Sequence, residues 1–119
     1  MAEARQAMLL QRVVNGADAM SARETLEIAT RGGAQVLGRS DCGQIAVGKR
    51  ADLAIWDVSG IESAGSWDPA ALVLAGPQKV KHLVVEGRVI VEDGQMTSVN
   101  METLVARQNK LARRLAEDL

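Results

Sequence analysis

The chain has 119 residues, enough for one small domain, with 47% hydrophobic residues and a formal net charge of −1. Its acids and bases are interspersed, which excludes the basic footprint of a nucleic-acid binder and a polybasic membrane patch, and no apolar run approaches the roughly 20 residues of a membrane-spanning helix. The single cysteine, Cys42, has no intramolecular disulfide partner, and the N-terminus lacks the charged-then-apolar layout of a secretory signal, so a cytoplasmic location is expected.

Residues Ala2 to Val14 contain no Gly or Pro, are rich in Ala, Leu, Met, Gln and Arg, and stop at Asn15-Gly16, which predicts a first helix. Ser21-Ala22-Arg23-Glu24 carries a hydroxyl and a Glu three positions later, the reciprocal cap that opens a second helix. Its apolar positions Leu26, Ala29, Ala34 and Leu37 run through Gly32-Gly33 toward Gly38. Two adjacent glycines cost roughly 1 kcal/mol each relative to Ala inside a helix, so they need a packing reason or they mark a break.

Past Arg39, a loop bracketed by Gly43 and Gly48 leads to Ala51–Val58, an apolar run of strand length bounded by acids. Ser59 to Pro69 reads as a surface loop. Asp68-Pro69 caps a short helix through Ala75 that Gly76-Pro77 ends. Val80–Val85 and Val89–Val91, separated by Glu86-Gly87-Arg88, predict a hairpin that Asp93-Gly94 closes. Asn100 caps a last helix in which Leu104, Gln108, Leu111 and Leu115 recur at heptad spacing, an apolar stripe that should lie on a partner surface. Three strands are few, and with two Trp (Trp56, Trp67) and no Phe or Tyr the core is thin, so the sheet reads as incomplete.

The stretch Ala29-Thr30-Arg31-Gly32-Gly33-Ala34-Gln35-Val36-Leu37-Gly38, followed by Gly43-Gln44-Ile45-Ala46-Val47-Gly48-Lys49-Arg50-Ala51-Asp52-Leu53, resembles the C-terminal signature of the amidohydrolase superfamily. The hairpin Leu83-Val84-Val85-Glu86-Gly87-Arg88-Val89-Ile90-Val91-Glu92-Asp93-Gly94 is similar to a third block of that signature, in the same order. Glu3 to Arg12 and Asp68 to Leu74 resemble the nucleobase and triazine branch, the 8-oxoguanine deaminases and hydroxyatrazine-type aminohydrolases. The resemblance covers Ala2 to Leu119 and leaves no segment to carry a separate activity.

The fold this resemblance implies is an α/β fragment. Residues 1–38 would be the last helices of a (β/α)₈ barrel, residues 39–98 the C-terminal strands of a composite β-sandwich, and residues 99–119 a closing amphipathic helix. In the family a divalent zinc or iron, held by histidines and an Asp of the barrel strands, polarises a water for attack on the ring carbon that bears the amino group. All those positions would precede residue 1, so the resemblance assigns no catalytic, metal or substrate-binding residue here and no cofactor in this chain. The expected function is the C-terminal portion of a metal-dependent deaminase of purine, pyrimidine or triazine rings, 8-oxoguanine-like rings favoured, with the chain alone inactive. The alternative is a non-catalytic association module derived from the same fold. The expected partners are the barrel portion of the same enzyme and, in its absence, further copies of the chain.

The remaining chemistry-bearing residues read as structural. His82 alone cannot make a site that needs three or four ligands, and is expected to be a structural or solvent-facing strand residue. Cys42 has no neighbouring base in sequence and reads as a small packed group. Asp52 is expected to accept backbone N–H bonds in the turn after Gly48-Lys49, with a subunit or domain contact as the other possibility. Gly48-Lys49 lacks the flanking pattern of a phosphate loop. Gly32-Gly33 are expected to let the helix approach a barrel wall closely.

Overall fold

The computed structural model describes residues 1–76 and 78–117. Helix α1 spans Ala2–Asn15 and ends at Gly16, whose φ of 106° turns the chain. The Nε–H of Arg12 donates to the Met20 carbonyl at 2.7 Å and holds the linker to α1. Helix α2, Ala22–Glu27, starts at the reciprocal cap: the Glu24 N–H donates to Ser21 Oγ and the Ser21 N–H to Glu24 Oε2. The two glycines do not break the helix. It widens into a π turn at Ile28–Gly32 and resumes as α3, Gly33–Val36. Thr30 Oγ1 donates back to the Leu26 carbonyl at 2.6 Å within this wider turn.

Strand β1 is Leu53–Asp57, shorter than the Ala51–Val58 run. Ala51 and Asp52 are drawn into bonds with the distant hairpin turn, and Asp57 Oδ1 accepts from the Ser59 N–H at 3.0 Å, an Asx turn that ends the strand before Val58. The loop that follows holds a 3₁₀ turn at Ile61–Ser63, with Ser63 buried. Helix α4, Pro69–Ala75, begins at Asp68, whose Oδ1 accepts from the Ala70 N–H at 3.1 Å and from Arg23 on α2 at 2.8 Å. Gly76 caps α4; Pro77, the other half of the expected stop, lies outside the described residues.

Strands β2 (Lys79–Val85) and β3 (Arg88–Glu92) form the hairpin, joined by two residues, Glu86 and Gly87, both at positive φ. Arg88 therefore belongs to β3 and not to the turn. Asp93-Gly94 repeats the geometry, with φ of 46° and 77°, and instead of ending the sheet turns the chain into β4, Gln95–Met96. The sheet thus has four strands rather than the expected three, antiparallel throughout in the order β1-β2-β3-β4. Helix α5, Met101–Glu117, starts where Asn100 Oδ1 accepts from the Thr103 N–H at 2.9 Å. None of the described helices is long and apolar enough to cross a membrane.

Packing is divided. Helices α1, α2 and α4 contact one another, the strands contact one another, and little joins the two groups. The buried hydrophobic residues among those described are Met8, Ala34, Ala70 and Leu74, the last only 1% exposed. The sheet has apolar side chains on both faces. Leu53, Val84 and Val89 stand opposite one another on one face, and Ala54, Leu83, Val91 and Met96 on the other. A sheet with one wet face alternates apolar and polar, so this pattern belongs to a sheet covered on both sides. Among the described residues none of α5 is buried, and Leu104, Val105, Leu111 and Leu115 of its apolar stripe are exposed. The accessible surface is 9316 Å², against about 6,200 Å² for a compact monomer of this mass. The radius of gyration is 17.8 Å, where a compact chain of this length has about 13.5 Å.

Candidate functional site

The densest concentration of interacting charged groups lies where the loop after α3 meets the start of β1 and the β2–β3 turn. Arg39 grips Asp41 in a two-pronged bond, Nε to Oδ1 at 2.9 Å and Nη2 to Oδ2 at 2.7 Å. This bond holds the Asp41 carboxyl down to about 2 and raises Arg39 above its ordinary value. Arg50 extends from the other end of the same loop to Asp41 at 3.7 Å and Asp52 at 3.6 Å, and pairs with Glu86 in the hairpin turn. The Arg50 N–H donates to the Asp41 carbonyl at 2.8 Å, and Lys49 Nζ to the Ser40 carbonyl, so the loop closes on itself.

Asp52 has the structural role expected of it but a different partner. Its Oδ1 accepts from the Glu86 N–H at 2.7 Å, 34 residues away, and the Gly87 N–H donates to the Ala51 carbonyl at 3.1 Å. The β-turn of the hairpin is thereby fastened to the start of β1 rather than Asp52 closing the turn after Gly48-Lys49. Arg39, Asp41, Arg50 and Glu86 were not singled out from sequence. The available signal was the opposite-charge spacing Arg39-x-Asp41 and Arg50-x-Asp52, which says that charges alternate but not that two loops meet there.

Within this chain the closely packed glycine is Gly43. A Cβ on Gly43 would come within 2.9 Å of Ala34 Cβ and 3.0 Å of the Thr30 carbonyl oxygen, and its φ is 87°. Gly32 and Gly33 meet nothing nearer than 3.7 Å among the described residues. Cys42, beside Gly43, lines a hollow of about 340 Å³ together with Glu27, Arg31, Arg39 and Gln44, which offer no imidazole base to activate a thiol. His82 sits in β2 opposite Ile55, with Nε2 3.6 Å from Asp93 Oδ1. A larger hollow of about 610 Å³ lies between α1, β1 and the end of α4, lined by Arg5, Gln6, Trp56, Leu74 and Gln78. Gln78 Nε2 donates to the Leu72 carbonyl and Ser63 Oγ, leaving its buried Oε1 unpaired.

A metal does not fit these residues. Among the described residues no three His, Cys, Asp or Glu side chains converge as a ligand set, and the cluster's carboxylates are already engaged by Arg39 and Arg50. The arrangement can fasten loops, and it contains no nucleophile with an adjacent base.

Residues 1–90 match the family model described as "Amidohydrolase family". The chain belongs to the amidohydrolase family. Among curated relatives, 111 residues are 40% identical to 8-oxoguanine deaminase of Pseudomonas aeruginosa, covering 92% of this chain and 25% of that protein. A 5-methylthioadenosine/S-adenosylhomocysteine deaminase of Desulforudis audaxviator is 36% identical over 98% of this chain and 28% of its own length. Among solved amidohydrolase-like structures, a zinc-bound adenosine deaminase from Xanthomonas campestris superposes with a TM-score of 0.86 at 30% identity, covering 97% of this chain and 27% of that one. A mutant atrazine chlorohydrolase from Arthrobacter aurescens, complexed with zinc and atraton, gives 0.81 at 36% identity, with coverage of 92% and 25%. The chain spans about a quarter of the length of these relatives.

Proposed function

We propose that these residues are the C-terminal quarter of a longer metal-dependent amidohydrolase that hydrolytically removes an amino group from a purine, pyrimidine or triazine ring, an 8-oxoguanine-like ring being favoured. The observation that carries this reading is the 40% identity to 8-oxoguanine deaminase over 92% of this chain but 25% of that enzyme. In this reading residues 1–38 are the last helices of a barrel and residues 39–98 part of a composite sandwich. The metal ligands and the groups that move protons belong to the part of the protein outside this sequence.

The physical state of the chain supports the same reading. A sheet with two apolar faces, an amphipathic α5 whose apolar stripe is exposed, and a surface half again that of a compact monomer are what a piece cut from a larger core shows. The chain's own contribution is then structural: the Arg39-Asp41-Arg50-Asp52-Glu86 cluster sets the angle at which the strand segment leaves the helical segment. The test is ammonia release. The 119 residues alone should release none from 8-oxoguanine, guanine, cytosine or hydroxyatrazine, with or without added zinc or iron. Chelator-resistant turnover by the short chain would overturn the reading.

A further inference from the structure

We propose that Asn15, at the end of α1, is a self-modifying site: the Gly16 backbone nitrogen displaces the Asn15 side-chain amide and converts the residue to aspartate and isoaspartate. This goes beyond the enzymatic reading above and does not depend on it. The chain has three asparagines, Asn15, Asn100 and Asn109, and of these Asn15 alone precedes a glycine. Closing a five-membered ring needs the next backbone nitrogen to swing onto the side-chain Cγ, and a following residue without a Cβ hinders that movement least. Gly16 meets the requirement. A Cβ there would touch nothing within 4 Å, its φ of 106° lies outside the helix, and both it and Asn15 are exposed.

The bonds that hold the two reacting groups open easily. The Gly16 N–H donates to the Arg12 carbonyl at 3.1 Å and closes the last turn of α1, and helix ends open at far lower cost than helix interiors. Asn15 Nδ2, the leaving group, donates to Gln11 Oε1 at 2.8 Å between two exposed side chains. The other candidates are held differently. Asn100 Oδ1 accepts from the Thr103 N–H at 2.9 Å and Met101 follows it, while Asn109 lies inside α5 with Lys110 after it. In Asp93-Gly94 the Gly94 N–H is bound to the Lys81 carbonyl of β2 at 2.9 Å, and a carboxylate is the poorer electrophile.

In the reaction a solvent base removes the Gly16 amide proton, the nitrogen attacks Asn15 Cγ, the Cγ–Nδ2 bond breaks, and the departing nitrogen takes up a proton and leaves as ammonia. Water then opens the succinimide at Cγ to give aspartate, or at the backbone carbonyl to give isoaspartate. The net change is an amide and water to a carboxylate and ammonium. The new charge stands at the carbonyl end of α1, where the helix dipole disfavours an anion. Isoaspartate also lengthens the backbone just before the linker that Arg12 holds to α1. The ammonia is limited to one equivalent per chain and needs neither a ring substrate nor a metal, which separates it from enzymatic turnover.

The experiment is mass spectrometry of peptides from the folded full chain after prolonged incubation at mildly alkaline pH, with a parallel incubation in urea and an Asn15→Gln variant alongside. The expected result is an amide-to-acid mass gain at position 15, with two separable isomers, roughly tenfold or more faster than at Asn100 or Asn109. It should quicken as pH rises and release up to one equivalent of ammonia that Asn15→Gln does not. Should Asn15→Gln fail to fold, the site-resolved rates of the unaltered chain decide. An Asn15 that converts in urea but stays intact in the folded chain, conversion no faster than at Asn100 or Asn109, or aspartate formed without isoaspartate would overturn the proposal.

Discussion

Replacing Gly43 by Ala tests the packing of the post-helix loop on the α2–α3 segment. Gly43 holds φ at 87°, where an L side chain costs about 1–2 kcal/mol. The new methyl would also lie 2.9 Å from Ala34 Cβ, 3.0 Å from the Thr30 carbonyl oxygen and 3.1 Å from Arg31 Cα. Two of these are backbone atoms and the third is a short, buried side chain, so none can swing aside, and the overlap adds roughly 1–3 kcal/mol. Gly48 is the control: its φ is 82°, but a Cβ there meets nothing within 4 Å, so Gly48→Ala carries the strain without the crowding. Thermal unfolding followed by circular dichroism should therefore show both variants destabilised, Gly43→Ala more so by about 1–3 kcal/mol, an added fall of several degrees. Equal midpoints for the two variants would show that the loop does not lie on the helix as described.

Asp52→Ala should destabilise the chain by about 1 kcal/mol, because the partly exposed Asp52 carboxylate loses its bond from the Glu86 N–H, while Asp52→Asn retains an acceptor and should lose less; urea titration checks both. Asp41 has its folded pKa depressed from 3.8 to about 2, chiefly by the bond from Arg39. The stability it adds is therefore complete above about pH 4 and is lost as pH falls toward 2, and Asp41→Asn should flatten that part of a pH-dependent unfolding curve. Leu111→Asp and Arg113→Asp should give nearly the same unfolding midpoint in the isolated chain, since no described residue of α5 is buried there. They should separate only where α5 has a surface to cover, with Leu111→Asp the more damaging, and a midpoint selectively lowered by Leu111→Asp in the monomer would count against the exposure of that face.

What was legible in the sequence was local. Ser21 with Glu24, Asp68 with Ala70, and Asn100 with Thr103 each bond within four residues, so residue type and spacing fix the helix starts. The hairpin was legible for the same reason, its turn being a glycine between β-branched runs. Strand β4 was not, because two residues carry no alternation; only the match of Asp93-Gly94 to Glu86-Gly87 as a turn for adjacent strands could have signalled it. The partner of Asp52 and the crowding at Gly43 depend on which distant segments meet, and neither composition nor periodicity encodes that. The sequence suggested a thin core from its lack of aromatics, and in the structure apolar residues of the sheet and of α5, among them Ile55, Val89, Leu104 and Leu111, are exposed.

We propose that this chain completes a deaminase whose metal ligands lie in the rest of a longer protein. The most direct test is a chimera in which these 119 residues replace the corresponding C-terminal quarter of Pseudomonas aeruginosa 8-oxoguanine deaminase, assayed for ammonia release beside the short chain alone. The chimera should be a folded, zinc- or iron-dependent deaminase, and the short chain should show no turnover. A soluble, metal-loaded chimera without activity, or turnover by the short chain that survives chelation, would contradict it.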